Sequence, residues 1–214
     1  MRIGILGAGG MADALGTQWH RAGHEVMISG RDPERTVAQA ARMTRAAQAR
    51  EREVLTGTFA EAAAFGDVVM AAVLEAGLTD VLAAAGTALR GKPLIDVTNV
   101  HPDAYDPTRP IAGAAADLTG AHVVKAFNLC HVDVWRMTPP VFDGRPLAVP
   151  LCGDDPAALE PVRRLVTDLG CTPLDGGGLA RATLLEATAA FVIGLWFAGA
   201  DAQAILTPKE HAGV

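Results

Sequence analysis

The chain opens on Met1-Arg-Ile-Gly-Ile-Leu6 and passes directly into Gly7-Ala-Gly-Gly-Met-Ala12. An apolar, branched run that ends in a G-x-G-x-x-[GA] turn leaves few folds open, because it demands a buried parallel strand followed at once by a helix. Arg2 to Leu6 read as the strand and Ala12 to Arg21 as the helix. Each small residue is there for a physical reason. Gly7 permits the tight turn, Gly9 lets backbone approach a phosphate, and Ala12 lets the helix pack closely on the strand. A second strand, Glu25 to Ser29, completes the unit. The pattern predicts a dinucleotide whose pyrophosphate rests on the helix N-terminus, with Gly7, Ala8, Gly9, Gly10, Met11 and Ala12 around it.

The second strand selects the dinucleotide. NAD-binding versions place an Asp or Glu about 20 residues beyond the glycines, where it accepts hydrogen bonds from the ribose hydroxyls. Val26-Met-Ile-Ser-Gly-Arg-Asp-Pro-Glu-Arg35 instead sets Ser29 and Arg31 at the strand end and Arg35 one helical turn further. A hydroxyl and two guanidinium groups suit a ribose 2′-phosphate, which predicts NADP(H). Asp32 before Pro33 reads as a helix N-cap with proline at the first helical position.

The rest of the chain repeats the alternation of strand and helix. A helix is expected over Pro33 to Arg50, an extended piece near Glu53 to Leu55, and a helix over Phe59 to Phe65 closed by Gly66. Asp67 to Val73 and Lys92 to Val97 read as strands buried on both faces, with a helix from Gly77 to Leu89 between them. A proline-rich loop, Thr98 to Pro110, leads to another helix and to strands at His122 to Phe127 and Leu147 to Cys152. Asp154-Asp155-Pro156 starts a helix that reaches Leu169, and Thr172 to Leu174 reads as a last strand. Gly176-Gly-Gly178 breaks the pattern before a terminal helix from about Leu179 to Leu206. The expected fold is a doubly wound, mostly parallel α/β sheet of the Rossmann type over residues 1–175, with a small helical extension over residues 176–214.

Composition narrows the partners. The 214 residues are half apolar and carry a formal charge of −6 without a basic patch, which argues against nucleic acid or an anionic membrane. Cys130, Cys152 and Cys171 have no C-x-x-C spacing, so a reducing cytoplasm is expected and a zinc site is not. His20 and His24 have zinc-helix spacing but lack the intervening glutamate of H-E-x-x-H. A first strand beginning beside Met1 predicts no signal peptide. The apolar run Ala187 to Ala200 falls short of the roughly 20 residues of a membrane span and is expected to be a buried helix.

In such a sheet, ligands lie beyond the carboxyl ends of the strands. Three loops converge there. Leu74 to Gly77 is apolar, and with Val73 is expected to lie along the dinucleotide; Thr98-Asn-Val-His-Pro102 and Lys125-Ala-Phe-Asn-Leu-Cys-His131 carry the polar contacts. His101 and His131 are candidate proton donors, since an imidazole near its ordinary pKa suits the reduction of a ketone or imine.

Several segments in order resemble a known family: the glycine turn, Ser-Gly-Arg31, Asp96-Val-Thr-Asn99, Gly120-Ala-His-Val-Val-Lys-Ala-Phe-Asn128, Cys152-Gly-Asp-Asp155 and Leu179-Ala-Arg-Ala-Thr-Leu-Leu-Glu186. The chain is similar to the NADP-dependent reductases of the 5-deazaflavin coenzyme (F-420), and to the related cytoplasmic oxidoreductase domain of transmembrane metalloreductases. The resemblance implies hydride transfer between NADPH and a flavin-like ring, without a side-chain nucleophile. It also implies Ser29 and Arg31 as 2′-phosphate ligands and Asn99, Lys125 and Asn128 as the polar edge of the ring site. The chain departs from the family at Leu74, Val100-His101 and Leu129-Cys130-His131, which bring bulk and imidazoles to the acceptor wall. The alternatives are a ketone or imine reductase and a non-catalytic NADP-sensing regulator. The terminal helix is apolar around most of its circumference and so predicts a homodimer, anchored by Phe191, Leu195 and Trp196.

Overall fold

The computed structural model describes residues 1–48, 52–205 and 211. Six parallel strands form the main sheet: β1 (Arg2–Leu6), β2 (Glu25–Ser29), β3 (Leu55–Gly57), β4 (Val68–Ala71), β5 (Pro93–Asp96) and β6 (His122–Lys125). Their spatial order is β3-β2-β1-β4-β5-β6. The order reverses between β1 and β4, which opens the crevice where such sheets bind ligands. Period-two alternation divides the core. Ile3, Ile5, Val68 and Met70 face α1 (Gly10–Arg21), α2 (Pro33–Ala47) and α6 (Pro156–Asp168). Leu6, Val69 and Ala71 face α3 (Phe59–Phe65), α4 (Glu75–Ala85) and α5 (Ile111–Thr119).

Local chemistry sets the helix ends. Asp32 caps α2 by accepting from the Arg35 amide, with Pro33 at the first helical position. Thr58 and Glu61 form a capping box on α3, and Asp155 caps α6. The expected terminal helix is three pieces: a 3-10 turn at Leu179–Arg181, α7 (Ala182–Phe197) and a 3-10 turn at Ala202–Ile205. The break lies at Gly199, whose φ of +76° lets Gly199 N and Ala200 N bond back to Trp196 O and Leu195 O. Arg50 and Leu206, the expected ends of two helices, lie outside the described residues.

Beyond β6 a short hairpin pairs β7 (Val141–Phe142) with β8 (Arg145–Pro146). It does not figure among the expected elements, although Asp143-Gly144 is its signal: both residues have positive φ, as the tightest hairpin turns require. Finally β9 (Ala148–Leu151) and β10 (Thr172–Asp175) form a parallel pair. Lys125 and Cys152 exchange backbone hydrogen bonds at 2.9 and 3.1 Å, tying this pair to the end of β6. Among the described residues, Leu179–Phe197 is long and apolar enough to cross a membrane by length and composition, longer than the apolar run suggested.

Candidate functional site

The glycine turn is built as its residues require. Gly7 has a φ of +139°, and a Cβ there would collide with the Ala72 carbonyl at the end of β4. Its amide donates to Ser29 O at 2.9 Å, so the turn is pinned between β2 and β4. Gly9 is the N-cap of α1, offers no side-chain cap, and has open space where a Cβ would project. The first amide to bond back into the helix is that of Asp13, to Gly9 O at 2.9 Å. The helix start therefore presents unpaired donors and the positive end of the dipole to the crevice. The residues present fit a pyrophosphate.

The second strand does not deliver all that was expected of it. Arg31 and Arg35 are exposed beside the turn. Ser29 is fully buried, and its hydroxyl donates to Ile5 O at 2.9 Å. A phosphate needs donors, and the Ser29 hydroxyl proton is already committed to Ile5 O. On the opposite side, Val73 is half-buried and Leu74 is 83% exposed at the start of α4.

Lys125 also departs from expectation. It has no exposed surface, and its Nζ donates to Asp96 Oδ2 at 2.9 Å and to Thr98 O at 2.5 Å, with Glu186 Oε1 at 3.4 Å. It supports the crevice wall from behind instead of forming the ring edge. Asn99 and Asn128 do meet there. Asn99 Nδ2 donates to Asn128 O at 2.6 Å, and Asn128 Nδ2 donates to Asn99 Oδ1 at 3.0 Å and to Leu185 O at 3.2 Å. Two buried atoms nearby, Thr98 Oγ1 and Asn128 Oδ1, have no partner among the described residues. Orphaned polar atoms at the end of a binding crevice suit a ligand with its own donor and acceptor, such as a carboxamide.

The chain turns sharply after β6. Phe127 holds a φ of +61° and packs edge-on between Trp19 (centroids 5.8 Å) and Trp135 (5.3 Å). Two rings hold a bulky residue in a backbone region that such residues rarely adopt. The following loop reaches back over the glycine turn, where a Cβ on Gly10 would meet Val132 Cγ2 at 3.4 Å. An ion pair between Arg136 and Asp13 at 2.8 Å anchors this loop to α1.

The two candidate proton donors lie on exposed loops. His101 Nδ1 accepts from Asp103 N and His131 Nδ1 from Asp133 N, each at 3.4 Å. The His101 ring also lies against Phe197 of α7, with centroids 5.7 Å apart. Burial pushes the Cys130 thiol up to about 11, which keeps it neutral and unreactive near pH 7. His20 and His24 face different partners: His20 binds the carbonyls of His24 and Arg52, and His24 Nε2 binds Asp168 at 2.8 Å.

Asp96 and Glu186 join the site without having been expected in it. A signal was present for Glu186, the one charged residue between Ala182 and Ala200. A lone carboxylate in an apolar helix needs a buried partner.

Residues 2–100 match a family described as NADP oxidoreductase, coenzyme F420-dependent. The match spans 99 of the 214 residues and agrees with the resemblance carried by the motifs and with the observed doubly wound sheet. The metalloreductase STEAP3 of Rattus norvegicus is 32% identical over 197 residues, which cover 91% of this chain and 38% of that protein. The chain thus spans little more than a third of that relative. A solved structure of a candidate F420-dependent NADP-reductase from Arthrobacter sp. FB24 is 28% identical with a TM-score of 0.77, covering 92% of this chain and 95% of the other. An imine reductase from Streptomyces aurantiacus is 18% identical with a TM-score of 0.66, over 93% of this chain and 64% of the other. At that identity the likeness concerns the fold alone.

Proposed function

We propose that this chain transfers a hydride between NADPH and a deazaflavin or flavin-like acceptor. The observation that carries the reading is the wall opposite the glycine turn. There the loop after β6 folds back to Gly10 through aliphatic Val132, and the Asn99–Asn128 pair supplies an amide edge. Amides and aliphatics suit a flat ring laid against a nicotinamide. The Arthrobacter protein, similar over nearly its whole length, supports the same acceptor class.

NADPH supplies the hydride. The chain's own residues bind and orient: the start of α1 takes the pyrophosphate, Arg31 and Arg35 the 2′-phosphate, and the Asn99–Asn128 edge the carboxamide. Orientation alone accounts for a large part of the rate when two rings must meet face to face. The three free thiols support the reducing cytoplasm as the compartment.

A ketone or imine acceptor, in contrast, needs a proton for its heteroatom, and His101 and His131 are the candidates to give one. With the deazaflavin coenzyme or FMN as acceptor, single-turnover oxidation of NADPH in His101→Ala and His131→Ala stays within about tenfold of the parent rate, because acid catalysis contributes about 10²–10⁴-fold where it is used. A larger loss at unchanged NADPH affinity transfers the assignment to the ketone or imine reductase. NADPH binding without turnover of any of these acceptors points to a sensor.

The working unit is a homodimer in this reading. The second half of α7 leaves Phe191 60%, Trp196 43% and Phe197 70% exposed, while Leu195 is half-buried. Adjacent exposed aromatics on one helix mark an interaction surface. Sedimentation at micromolar concentration is expected to show a dimer, and Trp196→Glu to shift it towards monomer while NADPH still binds. A fully active monomer removes this part of the proposal.

A further inference from the structure

Glu186 is 3% exposed on a helix that is otherwise uncharged from Ala182 to Ala200. Its carboxylate accepts from the amides of Ile111 at 3.2 Å and Ala112 at 3.1 Å. These are the first amides of α5, whose N-cap is Pro110 and has no side-chain acceptor to offer. Glu186 therefore caps α5 from a different helix. Its Oε1 also lies 3.4 Å from Lys125 Nζ, which reaches on to Asp96 Oδ2 and to Thr98 O. Asp96 Oδ1 in turn accepts from Thr98 N at 2.8 Å. Both backbone polar groups of Thr98 are thus held by this cluster, and Asn99 is the next residue.

The same turn of α7 holds Asn99 by a second route. Leu185 O accepts from Asn128 Nδ2, which also donates to Asn99 Oδ1. Two adjacent α7 residues thus act on one crevice residue through separate hydrogen-bond chains. The cluster contains two carboxylates and one ammonium, and the excess negative charge faces the positive end of α5. Desolvating three charges is costly, and apolar side chains would anchor a helix more cheaply. What charged hydrogen bonds add is direction and close positional control.

We infer that Glu186 is a positioning residue: through Lys125 and Asp96 it holds Thr98 and Asn99 in the pose that receives the nicotinamide end of the dinucleotide. The inference rests on the NADPH-dependent reading proposed above. It makes the beginning of α7 part of the binding wall, acting through Lys125, Asp96 and Asn128 and not by direct contact with the ligand.

The test compares two ligands by calorimetry: NADPH, and 2′-phospho-ADP-ribose, which lacks the nicotinamide. In Glu186→Gln the preference for NADPH over the truncated ligand is expected to fall at least about fivefold, while the truncated ligand binds within about twofold of its parent affinity. In an Asn99→Ala background the same substitution is expected to change the preference by less than about twofold, because coupled residues are not additive. A purely structural role lowers the melting temperature without changing the preference. An unchanged preference, or full additivity with Asn99→Ala, overturns the inference. If Glu186→Gln does not fold, Glu186→Asp, which keeps the charge but draws the carboxylate back by one methylene, is read by the same criteria. A parent chain that binds neither ligand refutes the NADPH reading, and the inference falls with it.

Discussion

Replacing Lys125 by methionine is expected to lower the folding free energy by about 3–5 kcal/mol, because it leaves buried carboxylates without their counter-charge. For a chain of this length that corresponds to a fall in melting temperature of ~6–20 °C. The volume of the side chain is nearly kept, so the loss reports charge and not a cavity. Asp96 and Glu186 are both within ion-pair distance of the missing ammonium, at 2.9 and 3.4 Å. The double variant Lys125→Met with Glu186→Gln is expected to recover part of the loss, since one of the two stranded charges is gone. Thermal denaturation followed by circular dichroism measures both. A Lys125→Met protein that melts with the parent would show that the cluster contributes nothing net.

Arg31→Ala is expected to remove most of the discrimination between NADPH and NADH. The parent should bind NADPH at least about tenfold more tightly, since hydrogen bonds to a charged group contribute roughly 1.5–3 kcal/mol each and Arg pairs with phosphate through two of them. With the Ser29 hydroxyl directed at Ile5 O, the proposed reading assigns this contribution to Arg31 and Arg35. NADH, which has no 2′-phosphate, should bind the variant nearly as it binds the parent. Titrations with both dinucleotides decide it. Equal affinities in the parent would end the assignment of NADP.

The elements were legible where the physical causes are local. Apolar, branched runs marked the positions of β1, β4 and β5, and capping chemistry marked the starts of α2 and α6. The boundaries of α4 and α7 were less legible, since those apolar runs continue past residues where backbone geometry stops the helix. Gly86 and Gly199, with φ of +65° and +76°, do so. The Asp143-Gly144 hairpin was legible but hidden among prolines.

The site divides along the same line. The strand, the glycine turn and the helix start were determined by sequence alone, because their constraints act between neighbours: a positive φ at Gly7, no side chain at Gly9, a small residue at Ala12. The choice of Arg31 over an acidic residue is equally local. What Ser29, Lys125 and Glu186 do was decided only by the tertiary structure. Each polar group finds its partner across a long stretch of chain: Ser29 with Ile5 at 24 residues, Lys125 with Asp96 at 29, and Glu186 with the amide of Ala112 at 74. A motif names the residue type but not the direction of its side chain. Direction follows from which strand and which helix are packed beside it, and in a low-dielectric interior a charge is held where its partners have been brought.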